Sequence, residues 1–365
     1  MFNRSLRPKW NAKKPVIDKD RKIAYLLWCS RFVIIRLFFA PLEYFFYKLF
    51  IKDQIKLPSS PVIILGHHRS GTTFLQGLLI ANPEYKSVRL FDTLFPDIMI
   101  LGNKTLRPVL NFLLKIFNIE MELHKKRMHM DFPGEEDVAL LSLLNPLAYN
   151  WGHIYPDNID EIARTSIVDL TPNSPNFKSW KEDYLMFLKK FLFLYPEKCL
   201  VLKSPPSVAR PHLMQEIFPR AKYIFLMRDP YTLYPSMINF WKISNKFTFQ
   251  EVKDENIDQL IFGQSNILLE NYIHLKNCIP PENLIEIRHS DLQTDPLRVL
   301  EAIHAKLELG DFKKALPHYE QYIALDKGVG IRKKTGEFSA LPENRKKVEY
   351  HWGKLIEYYN SIGPM

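Results

Sequence analysis

The chain has 365 residues, 46% of them apolar, 25% charged and 13% aromatic, with a formal charge of +10. These proportions exclude a disordered, collagen-like or low-complexity chain and are enough for a large core. Three scattered cysteines, Cys29, Cys199 and Cys278, exclude a disulfide framework and a tetrahedral zinc site, and make the reducing cytoplasm the expected compartment.

The charge lies at the two ends. Residues 1–22 hold eight basic residues against two acids, a net of +6, and residues 327–354 hold eight against three, a net of +5, while 23–326 balance to zero. No nucleic acid is expected from this distribution; a membrane surface or a polyanionic small molecule fits it as well. The basic head runs into IAYLLWCSRFVIIRLFFAPLEYFFYKLF, residues 23–50. Arg31, Arg36 and Pro41 interrupt that stretch, which argues against a membrane-spanning helix. Two readings stand. One is an in-plane helix giving peripheral contact through residues 1–50 on the inner face of a membrane; the other is a helix packed on the rest of the protein. The expected organisation is a basic head with an aromatic amphipathic segment over 1–57 and a single α/β domain over 58–365.

After Pro58-Ser59-Ser60-Pro61, Val62-Ile63-Ile64-Leu65 reads as a short buried strand. Gly66-His67-His68-Arg69-Ser70-Gly71-Thr72-Thr73 follows and leads into an apolar helix that Pro83 helps to end. Strand, glycine-bounded loop and helix start make an anion cradle, because backbone N–H groups and the positive end of the helix converge on phosphate oxygens. The two glycines have the spacing of a P-loop. The next position, however, holds Thr72 where a nucleotide triphosphatase carries the lysine that reaches the β- and γ-phosphates. With Arg69 supplying the loop's positive charge, a γ-phosphoryl donor is disfavoured.

Two further strand-like runs end in polar clusters. Cys199-Leu200-Val201-Leu202 reaches Lys203-Ser204-Pro205-Pro206, and Lys222-Tyr223-Ile224-Phe225-Leu226-Met227 reaches Arg228-Asp229-Pro230. Open α/β sheets bind ligands at such strand ends. GHHRSGTT and LKSP…FPRAKYIFLMRDP together resemble the sulfotransferase family, with His68 in place of the usual proline of the loop. The resemblance covers about residues 58–365 and runs through Glu286-Ile287-Arg288-His289-Ser290-Asp291-Leu292…Asp295-Pro296 and Trp352.

The resemblance implies a three-layer α/β fold of P-loop NTPase type, with a central, mainly parallel sheet and large helical insertions between Pro96 and Trp180. It implies 3′-phosphoadenosine-5′-phosphosulfate (PAPS) as co-substrate, no metal, and a small-molecule, lipid or glycan acceptor. In the cofactor site it places Arg69, Ser70, Gly71, Thr72 and Thr73 at the 5′-phosphosulfate, Arg228 and Ser236 at the 3′-phosphate, and Arg332 and Lys333 in a basic loop closing over it. Lys203 would offset charge growing on the leaving phosphate. The sequence departs from bacterial relatives at Ser207, where they carry a histidine, so no role for that residue carries over.

The acceptor hydroxyl must lose a proton, so a carboxylate or imidazole is needed. Asp92 and Glu136 lead, with His129 behind them; Glu135 and Asp137 read equally well as acids at a helix start. Two other classes of function remain at this point. A P-loop kinase would prefer ATP–Mg²⁺ to adenosine 3′,5′-bisphosphate, and a non-catalytic nucleotide-binding protein would bind the bisphosphate and transfer nothing.

Overall fold

A computed structural model describes residues 15–121, 126–196, 198–325 and 341–365. In chain order its elements begin with α1 (Lys22–Phe38), α2 (Ala40–Phe50), β1 (Val62–Leu65), α3 (Thr72–Ala81), β2 (Tyr85–Ser87), α4 (Leu90–Leu94), α5 (Met99–Lys104) and α6 (Leu106–Ile116). A two-residue hairpin, β3 (Glu120–Met121) and β4 (Lys126–Arg127), precedes α7 (Glu136–Ser142), α8 (Trp151–Ile154), α9 (Ile159–Ala163) and α10 (Pro175–Leu194). Then come β5 (Cys199–Lys203), α11 (Pro211–Ile217), β6 (Lys222–Met227), α12 (Pro230–Ser244), α13 (Ile257–Leu275) and β7 (Leu284–Arg288). The last helices are α14 (His289–Thr294), α15 (Pro296–Leu307), α16 (Phe312–Leu325) and α17 (Pro342–Ser361).

Contacts divide the chain into two units. A sheet unit comprises Pro58–Ser87, Cys199–Lys242 and the described residues of Glu255–Met365; a helical unit comprises those of Met1–Leu57, Val88–Lys198 and Ile243–Asp254. Among the described residues, α1 and α2 group with the insertion between β2 and β5.

In the sheet unit five strands lie in the order β2-β5-β1-β6-β7, and every pairing is parallel. Parallel strands buried on both faces need apolar side chains throughout, which the run Val62-Ile63-Ile64-Leu65 supplies with no exposed position. Alternation then sends Val62, Ile64, Val201, Ile224 and Ile287 into a core with Leu75 and Leu78 of α3, Leu300 and Ile303 of α15 and Tyr319 of α16. Each such fully buried side chain contributes about 1.5–3 kcal/mol. On the other face Phe225 stacks on Tyr272 of α13, with ring centroids 3.8 Å apart, and meets Tyr358 of α17 edge-on. Helices on both faces make the expected three-layer P-loop-type α/β fold. The Asp295-Pro296 turn opens α15 as expected: the Asp295 carboxylate accepts the Arg298 N–H at 3.1 Å, and Pro296 takes the first helical position.

The helical unit is built around α10, whose Trp180 and Tyr184 rings stack 5.0 Å apart. Glu43 of α2 and Lys190 of α10 form a fully buried ion pair at 2.7 Å. A buried pair is tolerable only when its remaining hydrogen-bonding capacity is met. Here the second Glu43 oxygen accepts the Ile100 and Leu101 N–H groups, and Lys190 also donates to the Pro96 carbonyl. The pair thus ties α2 to α10 and to the start of α5. On α1, Tyr25 and Trp28 pack on Phe249, and Trp28 on Trp151, while Ile23, Leu26, Leu27 and Ile34 are exposed. Among the described residues no helix is long and apolar enough to cross a membrane.

Candidate active site

In the sheet unit, β1 feeds a loop over residues 66–71 whose last residue caps α3. Glycine is required at both ends of that loop. A Cβ on Gly66 would lie 2.9 Å from the Leu226 carbonyl oxygen of β6, and Gly71 has φ +89° with the His289 ring where its Cβ would project. Arg69 also has positive φ, +66°, a cost of order 1–3 kcal/mol for a non-glycine residue that is met most often at functional sites. The loop is held from beneath by His67. Its Nδ1 is 2.9 Å from the His68 carbonyl oxygen, so Nδ1 donates there and Nε2 accepts the Ser265 hydroxyl at 3.1 Å. Burial pushes the His67 pKa down to about 4, so the ring is neutral at physiological pH. Ser70 donates its N–H back to the His67 carbonyl at 3.2 Å. Thr72 and Thr73 occupy the first turn of α3, where N–H groups have no partner within the helix.

Cations gather on this loop from two strands. Lys203, buried at the last position of β5, lies in register beside Ile64 of β1, and its Nζ donates to the Thr73 hydroxyl at 3.4 Å. Arg228 follows the end of β6 and donates to the Arg69 carbonyl oxygen at 2.9 Å, to Thr232 at 3.2 Å and to Ser236 of α12 at 3.3 Å. Arg69 donates from Nε to the same Ser236 hydroxyl, also at 3.3 Å. Two guanidinium groups therefore converge on one hydroxyl. Burial first, and the Arg69 charge second, lower the Arg228 pKa to about 10, against the weaker opposing pull of Asp229. Arg228 stays charged, but its charge is held at a cost that a bound anion would relieve. His289, against Gly71, is pushed down to about 3 by burial and by Arg228.

The structure thus brings together Arg69, Ser70, Gly71, Thr72, Thr73, Lys203, Arg228 and Ser236 in one unit. Arg332 and Lys333 lie outside the described residues. Ser207 sits buried in the turn after β5.

The proposed bases belong to the helical unit, and they differ in kind. Asp92, on α4, has no exposed surface, and Arg89 holds both its oxygens: Nε and the backbone N–H reach Oδ2 at 3.0 and 2.9 Å, and a terminal nitrogen reaches Oδ1 at 2.8 Å. Burial by itself would lower the Arg89 pKa; the bond and charge of Asp92 reverse that, and the net direction is up. Asp92, at the third position of α4, accepts the backbone N–H of Arg89, the residue that precedes the helix, and so holds its first turn. Asp137 accepts the Asn150 N–H at 2.9 Å, a structural bond of the sort expected for an acid near a helix start. Glu136 is buried in the first turn of α7. Among the described residues no three His, Cys, Asp or Glu side chains group as a metal site requires.

Sequence reasoning missed Thr232, Ser265 and His289 as supports of the site. Thr232 lies four residues after Arg228, one helical turn into α12, a spacing that could have pointed to it. Ser265 is 198 residues from His67, and no local pattern links them.

Comparison with known proteins gives the family. A model described as "Sulfotransferase family" matches residues 61–313. The omega-hydroxy-beta-dihydromenaquinone-9 sulfotransferases Stf3 of Mycobacterium bovis and Mycobacterium tuberculosis are each 27% identical over 305 residues, 82% of this chain and 74% of theirs. The fold is shared with sulfotransferase STF9 from Mycobacterium avium, TM-score 0.64 and 18% identity over 85% of this chain and 78% of that one. It is shared also with STF1 from Mycobacterium tuberculosis, TM-score 0.57 and 17% identity over 78% and 77%. The family match spans most of the chain: the chain belongs to the sulfotransferase family and is a sulfotransferase.

Proposed function

We propose that this sulfotransferase takes its sulfuryl group from PAPS and delivers it to a hydroxyl on a lipid-like acceptor. The observation that carries the donor is the pair of guanidinium groups, Arg69 and Arg228, sharing the Ser236 hydroxyl. A 3′-phosphate placed there accepts from both forks and removes the repulsion between them. The loop from Gly66 to Thr73 suits the 5′-phosphosulfate for the same reason that it does not suit a triphosphate: Arg69 and Lys203 supply positive charge, and Thr72 stands where the γ-phosphate lysine would be.

The reaction is an in-line displacement at sulfur. The acceptor oxygen forms a bond to sulfur as the bond from sulfur to the bridging phosphate oxygen breaks, leaving adenosine 3′,5′-bisphosphate. Lys203 stabilises the negative charge that develops on that leaving oxygen. For the acceptor's proton we propose Glu136, with Asp92, whose two oxygens Arg89 engages, as the second candidate. Positioning and electrostatics carry the rate, with no covalent enzyme intermediate.

The lipid-like acceptor is supported by the Stf3 relatives, which are named for a hydroxylated menaquinone, and by the exposed apolar side chains of α1 and α2. Peripheral membrane contact through residues 1–50 belongs to the same proposal. The test is incubation of purified protein with ³⁵S-labelled PAPS and lipid extract. Label in a lipid product and release of adenosine 3′,5′-bisphosphate are expected; label transferred only to water-soluble acceptors would overturn the acceptor, and tight ATP–Mg²⁺ binding without bisphosphate binding would overturn the donor.

A further inference from the structure

In the helical unit, α6 docks on a half-buried face that carries Arg107 and Asn111 beside Leu106, Leu110 and Leu114. Asn103 at the end of α5, Arg107 and Asn111 are spaced by four and so form one stripe. That stripe is consumed by the protein: Arg107 donates to the Asn103 carbonyl and side-chain oxygens at 3.1 and 3.0 Å and to Asp131. Asn111 donates to Asp131 at 2.8 Å and accepts the Met130 N–H at 2.7 Å. The opposite stripe, Val109, Phe112, Leu113 and Ile116, continued by Phe117, is left in solvent, with exposures from 40% at Leu113 to 69% at Phe117. No residue of α6 is buried.

A helix of a water-soluble surface covers such a stripe, since apolar area is what burial rewards. α2 repeats the exposure: Glu43 and Tyr47 are buried, while Leu42, Phe45 and Leu49 are exposed. Both helices are fixed to the same element, because the Glu43 carboxylate holds the first turn of α5 and α5 leads directly into α6.

The charge on α6 identifies what covers it. No acidic residue occurs between Asp97 and Glu120, whereas Lys104, Arg107 and Lys115 do, and Lys104 and Lys115 are exposed at the two ends of the helix. An apolar stripe bracketed by lysines matches the boundary between anionic headgroups and acyl chains, where apolar side chains enter the hydrocarbon and lysine stems reach back to phosphate. A second copy of the chain would set these lysines against their like.

We infer that α6 is a membrane-docking helix that inserts Phe112, Ile116 and Phe117 into the surface of an anionic bilayer. This extends the membrane contact proposed above for residues 1–50 to a second element, and it stands on α6 alone.

The test is flotation of the full-length chain with vesicles of phosphatidylcholine, alone or with about one third phosphatidylglycerol. Binding to the anionic vesicles is expected. Phe112→Asp with Ile116→Asp should lower the bound fraction by about tenfold, and Lys104→Gln with Lys115→Gln should remove most of the preference for phosphatidylglycerol. Thermal stabilisation by adenosine 3′,5′-bisphosphate should be unchanged in both variants, which checks the fold. Equal flotation of wild type and the Asp variant overturns the inference. Loss of flotation in Phe45→Asp with Leu49→Asp alone would do so too, and would leave only the contact through residues 1–50. Absence of flotation, with a dimer that the α6 variant dissociates in analytical ultracentrifugation, would assign the face to self-association instead.

Discussion

The two units treat buried charge in opposite ways. In the helical unit charges are matched: Glu43 with Lys190 at 2.7 Å and Asp92 with Arg89 at 2.8 Å, each pair with its remaining capacity met by backbone or side-chain groups. In the sheet unit like charges are gathered: Arg69 and Arg228 meet at Ser236, with Lys203 at the neighbouring strand end. A matched pair specifies how elements pack; a gathered set of one sign costs stability that only a polyanion returns. The difference separates scaffold from site more sharply than burial does, since Lys190 and Lys203 are both 2% exposed.

That contrast predicts which substitutions strike chemistry and which strike folding. The largest effect is expected outside that contrast, at Glu136 of the helical unit: as the proposed base, its replacement in Glu136→Gln should lower the transfer rate about 10²–10⁴-fold while leaving bisphosphate affinity unchanged; single-turnover transfer beside calorimetric binding reads both. Lys203→Ala should lower the rate about 10²–10³-fold, the scale for removing one group that stabilises developing charge. An unchanged rate would return Lys203 to the scaffold.

The matched pairs should behave otherwise. Glu43→Ala leaves Lys190 buried without its counterion and should cost about 3–5 kcal/mol in denaturant unfolding, and Asp92→Asn should act mainly in the same way. Transfer lost in Asp92→Asn with stability intact would break the contrast and make Asp92 the base.

A smaller effect comes from His67. Its folded pKa, about 4, lies below the unfolded value of 6.5, so the unfolded state binds the proton first as pH falls. The stability it contributes is full above about pH 6.5 and is lost toward pH 4, of order 3 kcal/mol in all. His67→Gln should flatten that part of the unfolding-versus-pH curve.

Much of this was legible in the sequence because the sheet unit is built from local signals. The strand at 62–65, the glycine spacing of the loop, the run 222–227 and the Asp295-Pro296 helix start each state their geometry within a few residues. Arg228 and Ser236 were legible as a pair through the family resemblance, and in the structure Arg228 donates to the Ser236 hydroxyl. What local signals do not carry is long-range: α2 meets α10 through Glu43–Lys190, partners 147 residues apart. The Arg89–Asp92 clasp is local, three residues apart, but the sequence does not say that burial closes it. The exposed apolar stripe of α6 was invisible, because a helical pattern shows its faces without saying which one meets the protein.

The central claim is that the gathered cations form a 3′-phosphate site. Calorimetric titration of wild type and Arg228→Ala with adenosine 3′,5′-bisphosphate and with adenosine 5′-monophosphate tests it most directly. The account predicts that the variant loses affinity for the bisphosphate by about tenfold or more while its affinity for the monophosphate is unchanged. Equal bisphosphate affinity in the two proteins would contradict it.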